Sequence, residues 1–317
     1  MQDTIIHDLD FGLHLIEDYD MGVSGRTGTY VFKDAQELTL LETGPSPSVP
    51  HILKGLAALG LDPADVKWII VTHIHLDHAG GAGLLLKDCP QAKVVVHPRG
   101  ARHLADPSRL VAGARAVYGD RFDGFFNPVV PIPEDRLLVC GEGDTLKIAP
   151  GRTLRFLDTP GHARHHFTIH DPMSNGLFTG DAAGVFYRAK ANPDHMFFMP
   201  VTSPNQFDPD AMLAVMDRFK SMKPGRLFFG HYSECTEVER ALDEVAAWLP
   251  RFVSEGKSAL EHGEDWRELS ARMAGMVQES LAERGLESGL DDYPVLRLDL
   301  DIAAMGVLDM LSKRPHH

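Results

Sequence analysis

The segment from Val66 to Cys89 constrains the fold of this chain more than any other stretch. Its sequence, VKWIIVTHIHLDHAGGAGLLLKDC, begins as a buried apolar β-strand and ends with helical periodicity. A helical pattern, HILKGLAALGL, precedes it, and another apolar strand, AKVVVHP, follows it. This alternation of strand and helix predicts a layered α/β fold, in which ligands bind at the loops where strands end.

The loop inside this segment carries His73, His75, Asp77 and His78 within six residues. Clustered nitrogen and oxygen donors of this kind repel one another or go unsatisfied unless something binds them. In extended or loop backbone His73 and His75 project to the same side, whereas a helix would separate them by about 200°. One metal ion could therefore bind both, while Asp77 and His78, at the start of the helix, could serve a second ion.

A second β-rich region lies between residues 144 and 233. The patterns that predict its strands are DTLKIA, TLRFLDTPGH, HFTIHD, GLFTGD and GRLFFGHYS. Three further candidate ligands follow strand ends there, namely His162, Asp181 and His231. Each comes directly after a glycine, which allows backbone and ligand to approach closely.

Two other regions differ from this pattern. Residues 99–136 combine helical periodicity with a Pro-rich, aromatic stretch and could form an insertion over the site, in which Phe125 and Phe126 fit a satellite core better than a lid. From about residue 234 onward, helical periodicity predominates. We therefore predict a catalytic domain over residues 1–235 and a C-terminal helical extension, residues 236–317, packed on that core.

The composition argues against several classes of partner. The 317 residues include 31 Lys and Arg against 45 Asp and Glu, a formal net charge of −14, so the surface should repel nucleic-acid phosphates and anionic lipids. The N-terminus is acidic where a secretion signal needs basic residues, and no apolar run has the length of a membrane span. Cys89, Cys140 and Cys235 form no CxxC pair, which argues against a disulfide framework or a thiolate zinc site. We expect a cytoplasmic protein with no nucleic-acid or membrane partner.

The order of the motifs, HxHxDH, then TPGH, then GD, then GH, resembles the metallo-β-lactamase superfamily over roughly residues 10–235. The resemblance implies an α/β fold, the four-layer βα/αβ sandwich, with two divalent metal ions. It implies that the ligands of the first ion are His73, His75 and His162. It also implies that those of the second are Asp77, His78 and His231, and that the bridging carboxylate is Asp181.

The sequence departs from the family pattern at two positions. Glu42, in LLETGPS, stands where the family usually has Asp. His165 replaces the second glycine of TPGHxxGH ahead of His166, which leaves the ligands intact but changes any close backbone contact at position 165. His166 either orients a ligand or is simply a buried histidine.

The resemblance implies a dinuclear metallo-hydrolase whose metal-bridging hydroxide attacks an ester, lactone, thioester or related small substrate. Glyoxalase II and the acyl-homoserine lactonases are the closest functional models. Imidazole and carboxylate ligands without thiolate suit zinc, iron or manganese, of which we expect zinc. Besides Asp77, Tyr187 in GVFYR is a candidate catalytic residue, because it follows Asp181 closely and could donate a hydrogen bond to an oxyanion. Packing of this aromatic loop on the core explains Tyr187 equally well.

Two other functions remain open. One is an iron-dependent oxidoreductase of the same fold, either a persulfide dioxygenase, which shares HxHxDH, or a flavodiiron-like oxygen-reactive protein, whose relatives typically have Glu where this chain has His75. The other is a non-catalytic binding protein, which the complete ligand set argues against. In each enzymatic case we expect a small-molecule substrate, and the amphipathic C-terminal helices would allow a homodimer.

Overall fold

The computed structural model describes residues 4–33, 36–286, 289–293 and 295–313. Its strands are β1 (Ile6–Leu9), β2 (Leu13–Glu17), β3 (Gly28–Phe32), β4 (Leu38–Leu41), β5 (Val66–Ile70), β6 (Lys93–Val96), β7 (Leu137–Val139), β8 (Thr145–Ala149), β9 (Arg152–Asp158), β10 (Phe167–Asp171), β11 (Gly176–Gly180), β12 (Val185–Arg188), β13 (Met196–Met199), β14 (Arg226–Phe229) and β15 (Ser233–Cys235). Its helices are α1 (Val49–Ala58), α2 (Leu76–Ala79), α3 (Ala82–Leu85), α4 (Ala101–Ala105), α5 (Ser108–Tyr118), α6 (Phe122–Phe126), α7 (Pro209–Met222), α8 (Val238–His262), α9 (Trp266–Glu283) and α10 (Leu296–Lys313).

The chain forms two compact units that interleave along the sequence. The first, here called the sheet unit, runs up to Asp158 and also includes His165–Gly180 and Pro224–Thr236. The second, the helical unit, comprises Thr159–Arg164, Asp181–Lys223 and the chain from Glu237 onward. The predicted division into a catalytic domain, residues 1–235, and an extension, residues 236–317, stays a prediction.

Two β-sheets face each other in the sheet unit. The strand order is β1-β2-β3-β4-β5-β6-β7 in the first sheet and β15-β14-β11-β10-β9-β8 in the second. Aromatic side chains fill the space between them: Phe178 of β11 stacks on Phe228 of β14 with ring centroids 4.4 Å apart, and Tyr30 of β3 meets Phe178 edge-on at 5.1 Å. Burial of such rings is the main stabilising contribution of a core of this kind.

The opposite face of the first sheet packs on helices. Ile16 of β2 and Val94 of β6 lie in one apolar cluster with Ile52 of α1 and Leu85 of α3. Because side chains alternate between the faces of a strand, each buried strand of this sheet supplies both clusters. The continuous apolar runs read from the sequence are thus strands covered on both sides.

The strands β4, β5 and β6 are parallel, so their carboxyl ends lie at the same edge of the first sheet. Glu42 follows β4, and the segment HIHLDH comes shortly after β5. Helix α2 begins at Leu76, and the carbonyl of His75 accepts hydrogen bonds from the backbone N–H groups of His78 and Ala79 at 3.1 and 2.9 Å. The predicted strand, loop and helix around the motif are therefore confirmed.

Residues 99–136 contain α4, α5 and α6. Phe122 and Phe126 are buried and pack with Phe125, Tyr118 and Leu76 in an apolar cluster of their own. The predicted satellite core is thus confirmed. Since Leu76 begins α2, this cluster also supports the helix that carries two candidate ligands.

Among the described residues, the helical unit consists of the antiparallel hairpin β12–β13 and helices α7 to α10. Helix α8 packs against α7, α9, α10 and β13. The helical periodicity predicted from about residue 234 is confirmed from Val238 onward, but Ser233–Cys235 form β15, which pairs with β14. Within the described ranges, no helix has the length and apolar character that a membrane crossing requires.

Asp18, which directly follows β2, gives this fold a stability that depends on pH. Its side chain is fully buried, and Oδ1 accepts a hydrogen bond from Thr29 Oγ1 at 2.9 Å. Burial raises the pKa of Asp18 well above its usual range, and the nearby carboxylates of Glu17, Asp20 and Glu42 also raise it, while the Thr29 hydrogen bond acts the other way. The folded protein therefore holds this proton more tightly than the unfolded chain, and its stability should fall as pH rises through the raised pKa.

We expect Asp18→Asn to remove this dependence, because an amide does not ionise. The free energy of unfolding of the variant, relative to wild type, should increase as pH rises from about 4 to about 7. Urea unfolding of both metal-free proteins at each pH measures this difference. A difference that stays constant with pH would contradict the prediction.

Candidate metal centre

The sheet unit brings together five of the seven predicted ligands. They are His73, His75, Asp77, His78 and His231. The ring centroid of His73 lies 4.6 Å from that of His75 and 4.2 Å from that of His78. The loop after β5 and the first turn of α2 therefore present their histidines as one cluster, as the spacing of the motif predicts.

Asp77, His78 and His231 have the geometry of a metal site. His231 Nε2 lies 3.1 Å from His78 Nε2 and 3.5 Å from Asp77 Oδ2, and the remaining edge, between His78 Nε2 and Asp77 Oδ2, is 4.0 Å. Ligand atoms around a tetrahedral ion with bonds of about 2.0–2.2 Å are about 3.3–3.6 Å apart. The three atoms thus form a triangle of the size that a divalent ion needs, and its formation requires only small adjustments.

The hydrogen bonds behind these rings point the correct nitrogens into the triangle. His78 Nδ1 lies 3.1 Å from Glu42 Oε2, and His231 Nδ1 lies 3.3 Å from the carbonyl oxygen of Arg26. Carboxylate and carbonyl oxygens only accept hydrogen bonds, so in each ring Nδ1 carries the proton and Nε2 presents its lone pair. Metal-binding histidines are held in this way, with the second nitrogen donating to an oxygen behind the ring.

The helical unit places the other two predicted ligands beside each other. His162 Nε2 lies 3.4 Å from Asp181 Oδ2, and both side chains are buried. His162 Nδ1 donates to the carbonyl oxygen of Val201 at 3.0 Å, which again leaves the lone pair on Nε2. His162 is therefore oriented like His78 and His231, with Nδ1 hydrogen-bonded and Nε2 available for a metal ion.

Two of the glycines that precede candidate ligands are required by close packing. At Gly180, where φ is +48°, a Cβ atom would lie 2.4 Å from Thr72 Oγ1 and 2.6 Å from His166 Nε2. At Gly230, a Cβ atom would lie 2.7 Å from Cε1 of His78. Any larger residue at either position would displace the histidine cluster, as the GD and GH motifs predict.

Comparison with known proteins decides the family. The model of the metallo-beta-lactamase superfamily matches residues 25–231, a range that contains all seven predicted ligands. The chain belongs to the metallo-β-lactamase superfamily.

Among its relatives, a metallo-beta-lactamase fold-containing protein of Sulfurisphaera tokodaii is 27% identical over 223 residues, which cover 69% of this chain and 78% of that protein. An N-acyl homoserine lactonase of Azorhizobium caulinodans is 35% identical over 135 residues, which cover 40% of this chain and 44% of the lactonase. The match thus spans less than half of that lactonase.

A solved structure extends the similarity to nearly the whole chain. The metallo-beta-lactamase family protein of Thermus thermophilus superposes with a TM-score of 0.65 at 22% identity and covers 95% of this chain and 93% of its own. At this coverage the shared fold includes the C-terminal helices. The predicted metallo-β-lactamase fold with a C-terminal helical extension is therefore confirmed.

Glu42, one of the departures from the family pattern, has a role that sequence reasoning did not assign. Its buried carboxylate accepts a hydrogen bond from the backbone N–H of Thr72 at 3.0 Å through Oε1 and contacts His78 Nδ1 through Oε2. One side chain thus fixes both the loop before His73 and the orientation of a ligand. In this metallo-β-lactamase fold, the longer Glu performs a positioning role at the position where Asp is usual.

The remaining candidate residues are also buried. His165 stacks on His73 with ring centroids 6.2 Å apart and meets His75 edge-on at 5.4 Å, and the ring of His166 lies 5.0 Å from that of His73. Tyr187 lies in the helical unit, where its hydroxyl donates to Asp299 Oδ2 at 2.7 Å and its ring stacks on Phe197. This arrangement corresponds to the packed aromatic loop, and the role of Tyr187 toward an oxyanion stays a prediction.

We expect Glu42→Gln to weaken metal binding at the group that contains His78. The amide keeps the size of the side chain but replaces one acceptor oxygen with an NH₂ group, so it cannot accept from both Thr72 N–H and His78 Nδ1–H. Affinity for the ion bound by His78 should fall about 10- to 100-fold. Calorimetric titration of the metal-free proteins measures this affinity.

Glu37→Gln is a matched control for this substitution. Glu37 directly precedes β4, and its carboxylate accepts a hydrogen bond from Trp68 Nε1 at 2.6 Å rather than from a candidate ligand. Metal affinity should be unchanged in this variant. Equal losses in the two variants would show that Glu42 acts on the sheet and not on the ligand.

Proposed function

We propose that this protein is a dinuclear metal-dependent hydrolase of small acyl substrates, such as esters, lactones or thioesters. The observation that carries the proposal is the shared orientation of His78, His162 and His231. In each ring Nδ1 donates to an oxygen, so Nε2 faces a neighbouring candidate ligand with its lone pair. A protein that binds no metal would have little need for several buried imidazoles oriented in this way.

The residues divide into two groups of ligands. Following the family pattern, we assign His73, His75 and His162 to the first ion and Asp77, His78 and His231 to the second, and the last three form one group in the sheet unit. We assign Asp181 as the carboxylate shared by both ions, following the family pattern. Seven ligands are too many for one tetrahedral ion, which supports two.

Two divalent ions held there would lower the pKa of a shared water to about 7 and so make hydroxide available at neutral pH. Asp77 and Asp181 offset only part of the charge of two dications, so the site stays positive and attracts a carbonyl or anionic group. The donor set of imidazoles and carboxylates fits zinc, manganese or iron, and we propose zinc.

The experiment is a substrate panel with and without oxygen. Protein saturated with zinc is assayed on an ester, an acyl-homoserine lactone, a thioester and a phosphodiester, in air and under nitrogen. The lactone is included because one relative is named a lactonase. We expect acyl hydrolysis that does not depend on oxygen, is lost with a chelator and returns when zinc is restored.

The opposite outcome would identify a redox enzyme of the same fold. Protein that holds a single iron and turns over only in air, without hydrolysing any acyl substrate, would overturn the proposal in favour of a dioxygenase. Hydrolysis that persists in fully chelated protein would also overturn it, because the proposed chemistry needs metal.

A further inference from the structure

Arg26 is a buried cation beside the group Asp77–His78–His231. It lies just before β3 and its side chain is only 4% exposed. The guanidinium Nε donates to Asp20 Oδ2 at 2.8 Å, and the side chain of Asp20 is fully buried. The two residues thus form a buried ion pair with little access to solvent.

Arg26 lies beside two of the three ligands in this group. Its guanidinium Nη2 lies 3.9 Å from Asp77 Oδ2, the same oxygen that faces His231 Nε2 at 3.5 Å. Its backbone carbonyl accepts the hydrogen bond from His231 Nδ1. Arg26 therefore faces Asp77 with its guanidinium, at ion-pair distance but beyond hydrogen-bond distance, and accepts the His231 hydrogen bond through its main chain.

Stability alone does not explain a charged pair at this place. Removing both charges from water costs several kcal/mol per ion, and apolar residues of similar volume often serve a core as well or better. A cation close to a dication site also repels metal unless its charge is offset, and Asp20 provides that offset. What then acts on Asp77 is the fixed geometry of the guanidinium, which Asp20 orients.

We propose that Arg26, oriented by Asp20, is a positioning residue of the second metal site that holds the carboxylate of Asp77 in its ligating position. The proposal rests on the proposed dinuclear hydrolase. It assigns to the loop before β3 a specific effect on one ion: without the guanidinium, Asp77 loses a fixed orientation, and the second ion binds more weakly while the first does not.

The test compares two double variants that replace one buried ion pair each. Asp20→Asn with Arg26→Gln removes the pair beside Asp77 and leaves the net charge unchanged. Asp171→Asn with Arg152→Gln is the matched control, because Arg152 Nη2 donates to Asp171 Oδ2 at 2.6 Å with side chains equally buried. That pair joins β9 and β10, and its guanidinium also donates to the carbonyl oxygen of Phe11.

Zinc binding to each metal-free protein is followed by isothermal titration calorimetry, with the absorption spectrum of the Co²⁺ form as a second readout. Asp77→Ala serves as a reference, since the ion that it retains marks the first site. We expect Asp20→Asn/Arg26→Gln to raise the Kd of the second ion about 10- to 100-fold and to leave that of the first ion unchanged. The control pair should leave both values unchanged.

Several results would overturn the inference. One is a Kd of the second ion that is unchanged or lower in Asp20→Asn/Arg26→Gln. Another is an equal rise of that Kd in the control variant Asp171→Asn/Arg152→Gln. Should the double variant not fold, Arg26→Lys keeps the charge and removes the planar fork, and it should also weaken the second ion by about tenfold. A wild-type protein that binds one ion would overturn both this inference and the proposed function, whereas two ions with unchanged affinity in both Arg26 variants would overturn this inference alone.

Discussion

Replacement of Asp181 with alanine is expected to empty both metal positions and to remove most of the hydrolytic activity. Two dications about 3.5–4 Å apart repel each other strongly, and a shared carboxylate offsets that repulsion. Asp181 is buried, with Oδ2 3.4 Å from His162 Nε2, so solvent gives little alternative screening. Under a zinc supply that saturates wild type, Asp181→Ala should retain less than one ion per chain and lose about 10³-fold or more in turnover.

Asp158→Ala provides the control for this variant. Asp158 also faces a histidine, His97, with Asp158 Oδ1 3.3 Å from His97 Nε2, but it belongs to neither group of candidate ligands. The control should keep two ions and wild-type turnover. Full metal occupancy together with wild-type turnover in Asp181→Ala would contradict the bridging role.

Asp77→Ala is expected to give a different result, with one ion kept and one lost. Asp77 Oδ2 lies near His78 Nε2 and His231 Nε2 and is a candidate ligand of the second ion only. The site of His73, His75 and His162 should therefore remain filled. The remaining ion could still supply hydroxide, but the second ion, which would polarise the substrate, is lost. The activation barrier should therefore rise by several kcal/mol, and turnover should fall about 10²- to 10³-fold.

Metal content and turnover of purified, folded Asp77→Ala are measured beside Asp181→Ala under the same zinc supply. The contrast between the two variants matters more than either value. If Asp77→Ala keeps two ions, or if both variants lose the same number, the division of ligands between two sites is wrong.

The clustering of the candidate ligands within each unit is predictable from the sequence because they follow strand ends in short motifs. HIHLDH comes after a buried parallel strand, and its spacing alone brings His73, His75 and His78 together. The glycines before Asp181 and His231 predict close packing. In the structure, Gly180 packs against Thr72 and Gly230 packs against His78. Each of these features is local, so residue spacing carries it.

The contacts that support the ligands are not local, and the sequence does not reveal them. His231 and the carbonyl of Arg26 are separated by 205 positions along the chain, and His78 and Glu42 by 36. Only tertiary packing brings such pairs together. Glu42 is visible as a departure from the family pattern, yet its bond to His78 follows from the fold and not from the motif. The strands β12, β13 and β15 are too short to give a clear period, and their sequences resemble loops or adjoin helical patterns.

The metal content of the wild-type chain tests the central claim most directly. Protein purified without added metal is saturated with zinc and freed of excess ion by gel filtration. Its metal content is measured by inductively coupled plasma mass spectrometry and its protein concentration by amino-acid analysis. The seven ligands assigned from the family pattern are too many for one tetrahedral ion and predict about two ions per chain. One tightly bound ion per chain after saturation would contradict the dinuclear centre.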